Sequence, residues 1–195
     1  MDQAEAHSIL QARYERLCSS VVAGYRRYRR YPNRTIHRRS TRANIVNDEI
    51  LSAVIQEFHD DPTVKPVMIR SKNLRFMQVD DRVLLWFKKI DRQRNPAIYP
   101  TEHAIALQSG QQSMFPDYTV LIVGYLLNRD ETDVVRVSIS KPNGRSRRPA
   151  WFIDLEPSRE RKLSVVSKTD GTGDDKPRFR IVVKHGAVQN KLITS

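Results

Sequence analysis

The segment YTVLIVGYLL, residues 118–127, constrains the fold more than any other stretch of the chain. It carries no charged side chain and no polar alternation. A strand with one wet face alternates apolar and polar residues, whereas a strand covered on both faces reads as a continuous apolar run. Residues 118–127 are therefore expected to form a central strand with neighbours on both sides.

The surrounding pattern supplies those neighbours. PVMIR (66–70), LRFMQV (74–79) and VLLWFKKI (83–90) are short and rich in β-branched or aromatic residues. Polar turns separate them, and DDR between the second and third reads as a hairpin turn. A short helix capped by Thr101, with Ala104, Ile105 and Leu107 inward, is expected after NPAIYPT, followed by the loop QSGQQSMFPD. Beyond the central strand, NRDE turns into TDVVRVSIS (132–140), where Val135, Val137 and Ile139 alternate with Arg136 and Ser138. KPNGRSRRP reads as a long turn around Asn-Gly, and AWFIDL (150–155) as the returning strand. KLSVVS and RFRIVVK suggest a final hairpin across KTDGTGDDKP, where GTGDDK lacks the full phosphate-loop pattern and is a loop.

Two helices precede the strands. Ile9, Leu10, Leu17, Cys18, Val21 and Val22 recur at the helical period, which predicts one helix over 4–30, weakened at Gly24 and ended at the latest by Pro32. Val46, Ile50, Val54 and Phe58 recur every four residues and predict a second helix from Ser40 or Thr41 to Phe58, with Ser40 or Asn47 as cap. Short connections favour antiparallel pairing. The expected class is α+β, a mostly antiparallel sheet with the N-terminal helices on one face. A division into a basic helix and arm over 1–39 and an α+β domain over 40–195 fits this order, as does a single domain.

Charge decides the kind of partner. The chain carries 34 Lys and Arg against 22 Asp and Glu, a net +12. Residues 1–47 hold ten arginines, no lysine, and only Asp2, Glu5 and Glu15. The stretch YRRYRRYPNRTIHRRSTR (25–42) has no acid at all. Its Arg26, Arg27, Arg29, Arg30, Arg34, Arg38, Arg39 and Arg42 are interleaved with Tyr25, Tyr28 and Tyr31. Guanidinium forks match phosphate geometry, and aromatic faces stack on unpaired bases. The bland reading is that the tyrosines complete a buried stripe while the arginines are solvated. Further basic residues, Lys88, Lys89, Arg92 and Arg94, then Arg145, Arg147 and Arg148, fall at strand ends or turns. With apolar residues on both faces of 83–90, both lysines are expected to emerge at the rim of the sheet. The clusters make one basic surface if they lie on the same edge as 25–42.

Two resemblances bear on this. RRSTRANIVNDEI, VLLWFKKID, NPAIYPTEHA, VGYLLN and AWFIDL occur in order and resemble a group of bacterial proteins from mobile-element and regulatory loci. That resemblance implies regulation, defence or toxin–antitoxin control and transfers no catalytic residue. The order helix, three strands, helix, strand is similar to the core of the restriction-endonuclease-like nucleases. That family implies an acid on the second strand and acid-x-Lys on the third, where carboxylates hold Mg²⁺. Here Trp86 and Phe87 stand two residues before Lys88 and Lys89, Asp80 and Asp81 fall in the turn, and Glu57 alone is suitably placed.

Other signals of catalysis are weak. His7, His37, His59, His103 and His185 show no metal-ligand spacing, and Glu102–His103 is a single acid–base pair. One cysteine, Cys18, excludes an internal disulfide and fits a reducing compartment. No run reaches the roughly 18 apolar residues of a spanning helix, and no signal-peptide pattern opens the chain, so a cytoplasmic protein is expected. The reading is a nucleic-acid-binding protein without a cofactor. A nuclease-type effector or toxin and a module for an acidic protein partner are the alternatives.

Overall fold

The computed structural model describes residues 1–69, 74–97, 117–144 and 146–155. Met1–Ser158 forms a compact unit. The expected helix from Thr101, the QSGQQSMFPD loop, Glu102–His103, His185 and the final hairpin with its GTGDDK loop lie outside the described residues.

Three helices, α1 (Gln3–Leu10), α2 (Tyr14–Arg29) and α3 (Arg39–Glu57), precede six strands. These are β1 (Val64–Ile69), β2 (Leu74–Val79), β3 (Val83–Lys89), β4 (Thr119–Leu127), β5 (Val134–Asn143) and β6 (Ser146–Leu155). They form one sheet in sequence order. Every pairing is antiparallel except β3 with β4, which run parallel from Val83↔Thr119 to Lys89↔Tyr125. The class is α+β, as the sequence pattern implies.

β4 is interior, between β3 and β5. Its Leu121, Val123 and Tyr125 join the core under the helices, with Leu85, Phe87, Val137 and Ile139 from the neighbouring strands. From the helices, Leu10, Leu17, Val21, Tyr25, Ile50 and Val54 enter the same core. On the opposite face, Val120 and Ile122 pack with Phe76, Leu84 and Trp86. The unbroken apolar run thus serves two cores. Cys18 is buried in the first, and burial pushes its thiol up to about 11, so it behaves as a small core residue.

Three local readings are corrected. The helix expected over 4–30 is interrupted by a 3-10 turn at Gln11–Arg13. The Arg13 side chain donates to the Ile9 carbonyl at 2.7 Å and also reaches Asp61 at 3.1 Å, Asp80 at 3.1 Å and Thr63 at 2.7 Å. One guanidinium therefore ties the α1–α2 junction to the turns flanking β1 and β2. The N-terminal cap of α3 is Arg38, with no side-chain hydrogen bond, rather than Ser40 or Asn47. The long turn read in KPNGRSRRP is a tight hairpin with Asn143 opposite Ser146. The register shifts between Lys141 and Asn143, at Pro142, which has no N–H to give the ladder. The DDR hairpin is as expected: Asp80 and Asp81 take φ of 50° and 51°, and the Arg82 N–H closes onto the Val79 carbonyl at 3.1 Å. Positive φ at both central residues suits the right-handed strand twist.

Gly24 does not end α2 early. A Cβ there would lie 2.5 Å from the Ile50 Cα and 2.8 Å from the Glu49 carbonyl oxygen. The backbones of α2 and α3 meet at this point, and no side chain larger than hydrogen fits. Gly24→Ala should therefore destabilise the fold by about 1–3 kcal/mol through overpacking, although alanine improves helix propensity by roughly 1 kcal/mol. Urea unfolding measures the balance. A variant as stable as the parent would show that the helices do not approach this closely.

Candidate nucleic-acid interface

Because α2 and α3 touch at Gly24, the last turns of α2 and the first of α3 stand side by side, joined by residues 30–38. All eight arginines of 25–42 lie on these turns or on the connection between them. Arg26, Arg30, Arg38 and Arg39 are exposed, while Arg27, Arg29, Arg34 and Arg42 are partly buried. Arg34 braces the connection by donating to the Arg29 carbonyl at 2.9 Å, whereas Arg27 reaches away from it, to Gln56 Oε1 near the far end of α3, at 2.6 Å. Arg42 Nε is buried with no hydrogen-bond partner among the described residues.

The tyrosines divide. Tyr25 is 2% exposed and Tyr28 is 7% exposed, so both belong to the core. With Tyr125 beneath and Tyr31 above, they form a ladder with ring centroids 6.3, 5.8 and 6.5 Å apart. Their faces are spent on one another, and Tyr25 and Tyr28 are not available to stack on bases. Tyr31 is 42% exposed, and its hydroxyl donates to Glu49 at 2.6 Å.

The β4–β5 turn completes the site. Asn128 Oδ1 accepts the Thr132 and Asp133 N–H groups at 2.7 and 3.2 Å, and Glu131 takes φ of 51°. This turn reaches the arginine corner. Tyr25 Oη donates to the Glu131 carbonyl at 2.6 Å, and the Glu131 carboxylate pairs with Lys89. The Lys89 hydrogen bond, with Arg42 and Arg39 nearby, holds the Glu131 carboxyl below its usual range. Burial pushes the Tyr25 hydroxyl up to about 12, with Glu131 adding to the rise and Arg29 and Arg34 opposing it. Residues from α2, α3 and β3 thus converge on Glu131, Tyr25 on its carbonyl and Lys89, Arg42 and Arg39 on its carboxylate, a residue that the sequence pattern marks only as part of a turn.

Lys88 and Arg94 are committed to other partners. Lys88 follows Leu84 and Trp86 on the face away from the helices, and its ammonium sits 4.2 Å above the Trp86 ring. It is half-buried rather than free at the rim, and burial lowers it to about 8. Arg94 forms a two-pronged pair with Asp154, at 3.1 and 2.6 Å, and stacks on Phe152 at 3.7 Å, so it clamps β6. Arg92 and Arg148 are exposed. The β5–β6 hairpin that precedes Arg148 lies at the opposite end of the strands from the Glu131 turn. The Arg145 and Arg147 side chains are outside the described residues.

Among the described residues no three His, Cys, Asp or Glu gather as a metal site would need. Glu57 pairs with Arg16 at 3.3 Å, and Asp80 with Arg13. His59 lies against the Gln56 carbonyl at 2.8 Å, at the end of α3. Nor is any described helix long and apolar enough to cross a membrane. Comparison of the chain with protein-family models, curated proteins and solved structures finds no match.

The Lys88 environment has a measurable consequence. An amine that titrates lower in the folded than in the unfolded state weakens the fold when charged, so stability should rise as pH climbs from about 8 towards 9. From about pH 9 the buried Cys18 thiol opposes that rise, and above pH 10 the raised Tyr25 and Tyr125 hydroxyls reverse it, because in each case the unfolded chain loses its proton more readily. Lys88→Met should be more stable than the parent at pH 7 and should lack the rise between 8 and 9. Denaturant midpoints across that range test it; an equal rise in the variant would assign the effect to another group.

Proposed function

We propose that this protein binds nucleic acid through the α2–α3 corner, chiefly by electrostatic contact with phosphates, and that it serves bacterial or phage regulation or defence. The observation that carries the reading is the start of α3. A helix N-terminus carries a partial positive charge and is usually met by a capping oxygen or an acid in its first turn. α3 has neither: its cap is Arg38, its first residue is Arg39, and no acid stands in its first turn. Like charge there is unfavourable in the free protein and becomes favourable when a polyanion arrives. Oriented amides and guanidinium forks then address the same phosphates. Glu131, paired with Lys89, is too little carboxylate to neutralise eight arginines.

The resemblance to mobile-element and regulatory proteins supports the biological setting and nothing finer. The nuclease alternative has support from topology, since three antiparallel strands precede a fourth parallel to the third. It has none from chemistry among the described residues, because Trp86 occupies the place of the acid two residues before Lys88. The acidic-protein alternative uses the same arginines and is separated by experiment.

Affinity for duplex DNA should fall steeply with salt, with a log–log slope of roughly −0.9 per phosphate neutralised. Replacing Arg30, Arg38 and Arg39 together by Gln should weaken binding to all sequences alike and flatten the slope by up to ~3. Folding should hardly change, since all three are exposed. Anisotropy titrations with and without Mg²⁺ read binding and cleavage together. An unchanged slope in the triple variant would remove the corner from the interface. No binding to any nucleic acid would leave the acidic-protein reading.

A further inference from the structure

The connection between α2 and α3 carries an exposed aliphatic side chain amid the arginines. Ile36 is 76% exposed, more than any other large apolar residue described. It does not hang from a slack loop. The Arg34 N–H donates to the Pro32 carbonyl at 2.5 Å, the Ile36 N–H to the Asn33 carbonyl at 3.2 Å, and the Arg34 guanidinium ties the turn to the Arg29 carbonyl at 2.9 Å. The 3-10 turn Arg34–Ile36 is thus built with the isoleucine at its end. Exposed Tyr31 and Pro32 precede it, and Arg30, Arg38 and Arg39, all exposed, lie within six residues of it along the chain.

An apolar point inside a cationic collar fits few polyanions. An unpaired strand is held by aromatic platforms, and here Tyr25 and Tyr28 are buried. A membrane surface is held by an extended apolar helix face, whereas this tip offers one aliphatic side chain. The major groove of double-stranded RNA is too narrow and deep for side chains, and its minor groove is wide and shallow. The minor groove of B-form DNA is about 6 Å wide, attracts arginine, and is where apolar wedges part stacked base pairs.

We infer that the Ile36 tip enters the minor groove of duplex DNA and wedges between adjacent base pairs, with Arg30, Arg38 and Arg39 on the flanking backbone. This rests on the nucleic-acid reading above and adds the ligand form and the mode. Parting the bases unstacks one step and bends the duplex towards the major groove. Pyrimidine–purine steps, TA above all, unstack most readily. The protein therefore favours sites with such a step without any hydrogen-bonded base readout.

The test uses the full chain and a short duplex with 2-aminopurine at a central TA step and a fluorophore at each end. The wild-type protein should raise 2-aminopurine fluorescence several-fold and shorten the end-to-end distance. A matched duplex without a pyrimidine–purine step should bind roughly tenfold more weakly. Ile36→Ser, at so exposed a position, should fold normally, keep the salt slope and lose both the fluorescence rise and the bend. Salt-sensitive binding with no distortion by the wild type overturns the wedge and leaves the electrostatic reading standing. So does distortion that survives Ile36→Ser. Tighter binding to the single strand, or Ile36-dependent binding to phosphatidylserine vesicles without duplex distortion, also overturns it. Absence of salt-sensitive binding to any duplex overturns the wedge and the electrostatic reading together.

Discussion

The approach of α2 to α3 at Gly24 organises the functional half of this molecule. With the Ile50 and Glu49 backbone in the space a Cβ would need, the two helices lie as close as backbones allow. That contact puts the arginine-bearing end of one helix beside the arginine-bearing start of the other. A larger residue would splay the pair and spread the charge. The core below fixes the corner against the sheet: Tyr25, Tyr28 and Tyr125 stack from β4 outward, and the Tyr25 hydroxyl holds the Glu131 turn. Packing in the interior thus sets the charge density at the surface.

Much of the fold is legible in the sequence because it rests on local period. β2 and β3 begin and end within a residue of the positions implied by their short β-branched and aromatic runs between polar turns, and α3 follows its four-residue repeat. β4 declares its central place by lacking polar residues. What is not legible depends on partners distant along the chain. The break at Gln11–Arg13 is tied to Asp61 and Asp80, which no local pattern around Arg13 announces. The β5–β6 hairpin hides behind Pro142 and Gly144, which punctuate a turn in most contexts, while the strands continue through arginines beyond them.

The candidate site divides in the same way. That residues 25–42 carry a dense positive charge is plain from composition, and its exposure at the corner follows from the helix boundaries. Which tyrosines are spent in the core is decided by three-residue spacing on a helix whose buried face only tertiary packing defines. Lys88 and Lys89 are adjacent in sequence and part company in space. Alternation along β3 sends one to Trp86 and the other to Glu131. Glu131 itself carries no signature, because a turn residue becomes a charge centre only when other elements converge on it.

The single parallel pairing has a consequence for how the chain assembles. The α2–α3 pair and the β1–β2–β3 meander close over short connections. β4 pairs with β3 in parallel although residues 90–118 separate the two strands in sequence. The entropy of closing that long connection is met before any β3–β4 contact repays it. β4 has its other neighbour, β5, just across the turn 128–133, so the β3–β4 pairing joins two halves of the sheet that each close locally. The parallel ladder is thus the seam between those halves, and it runs along the chain's most apolar segment, residues 119–127.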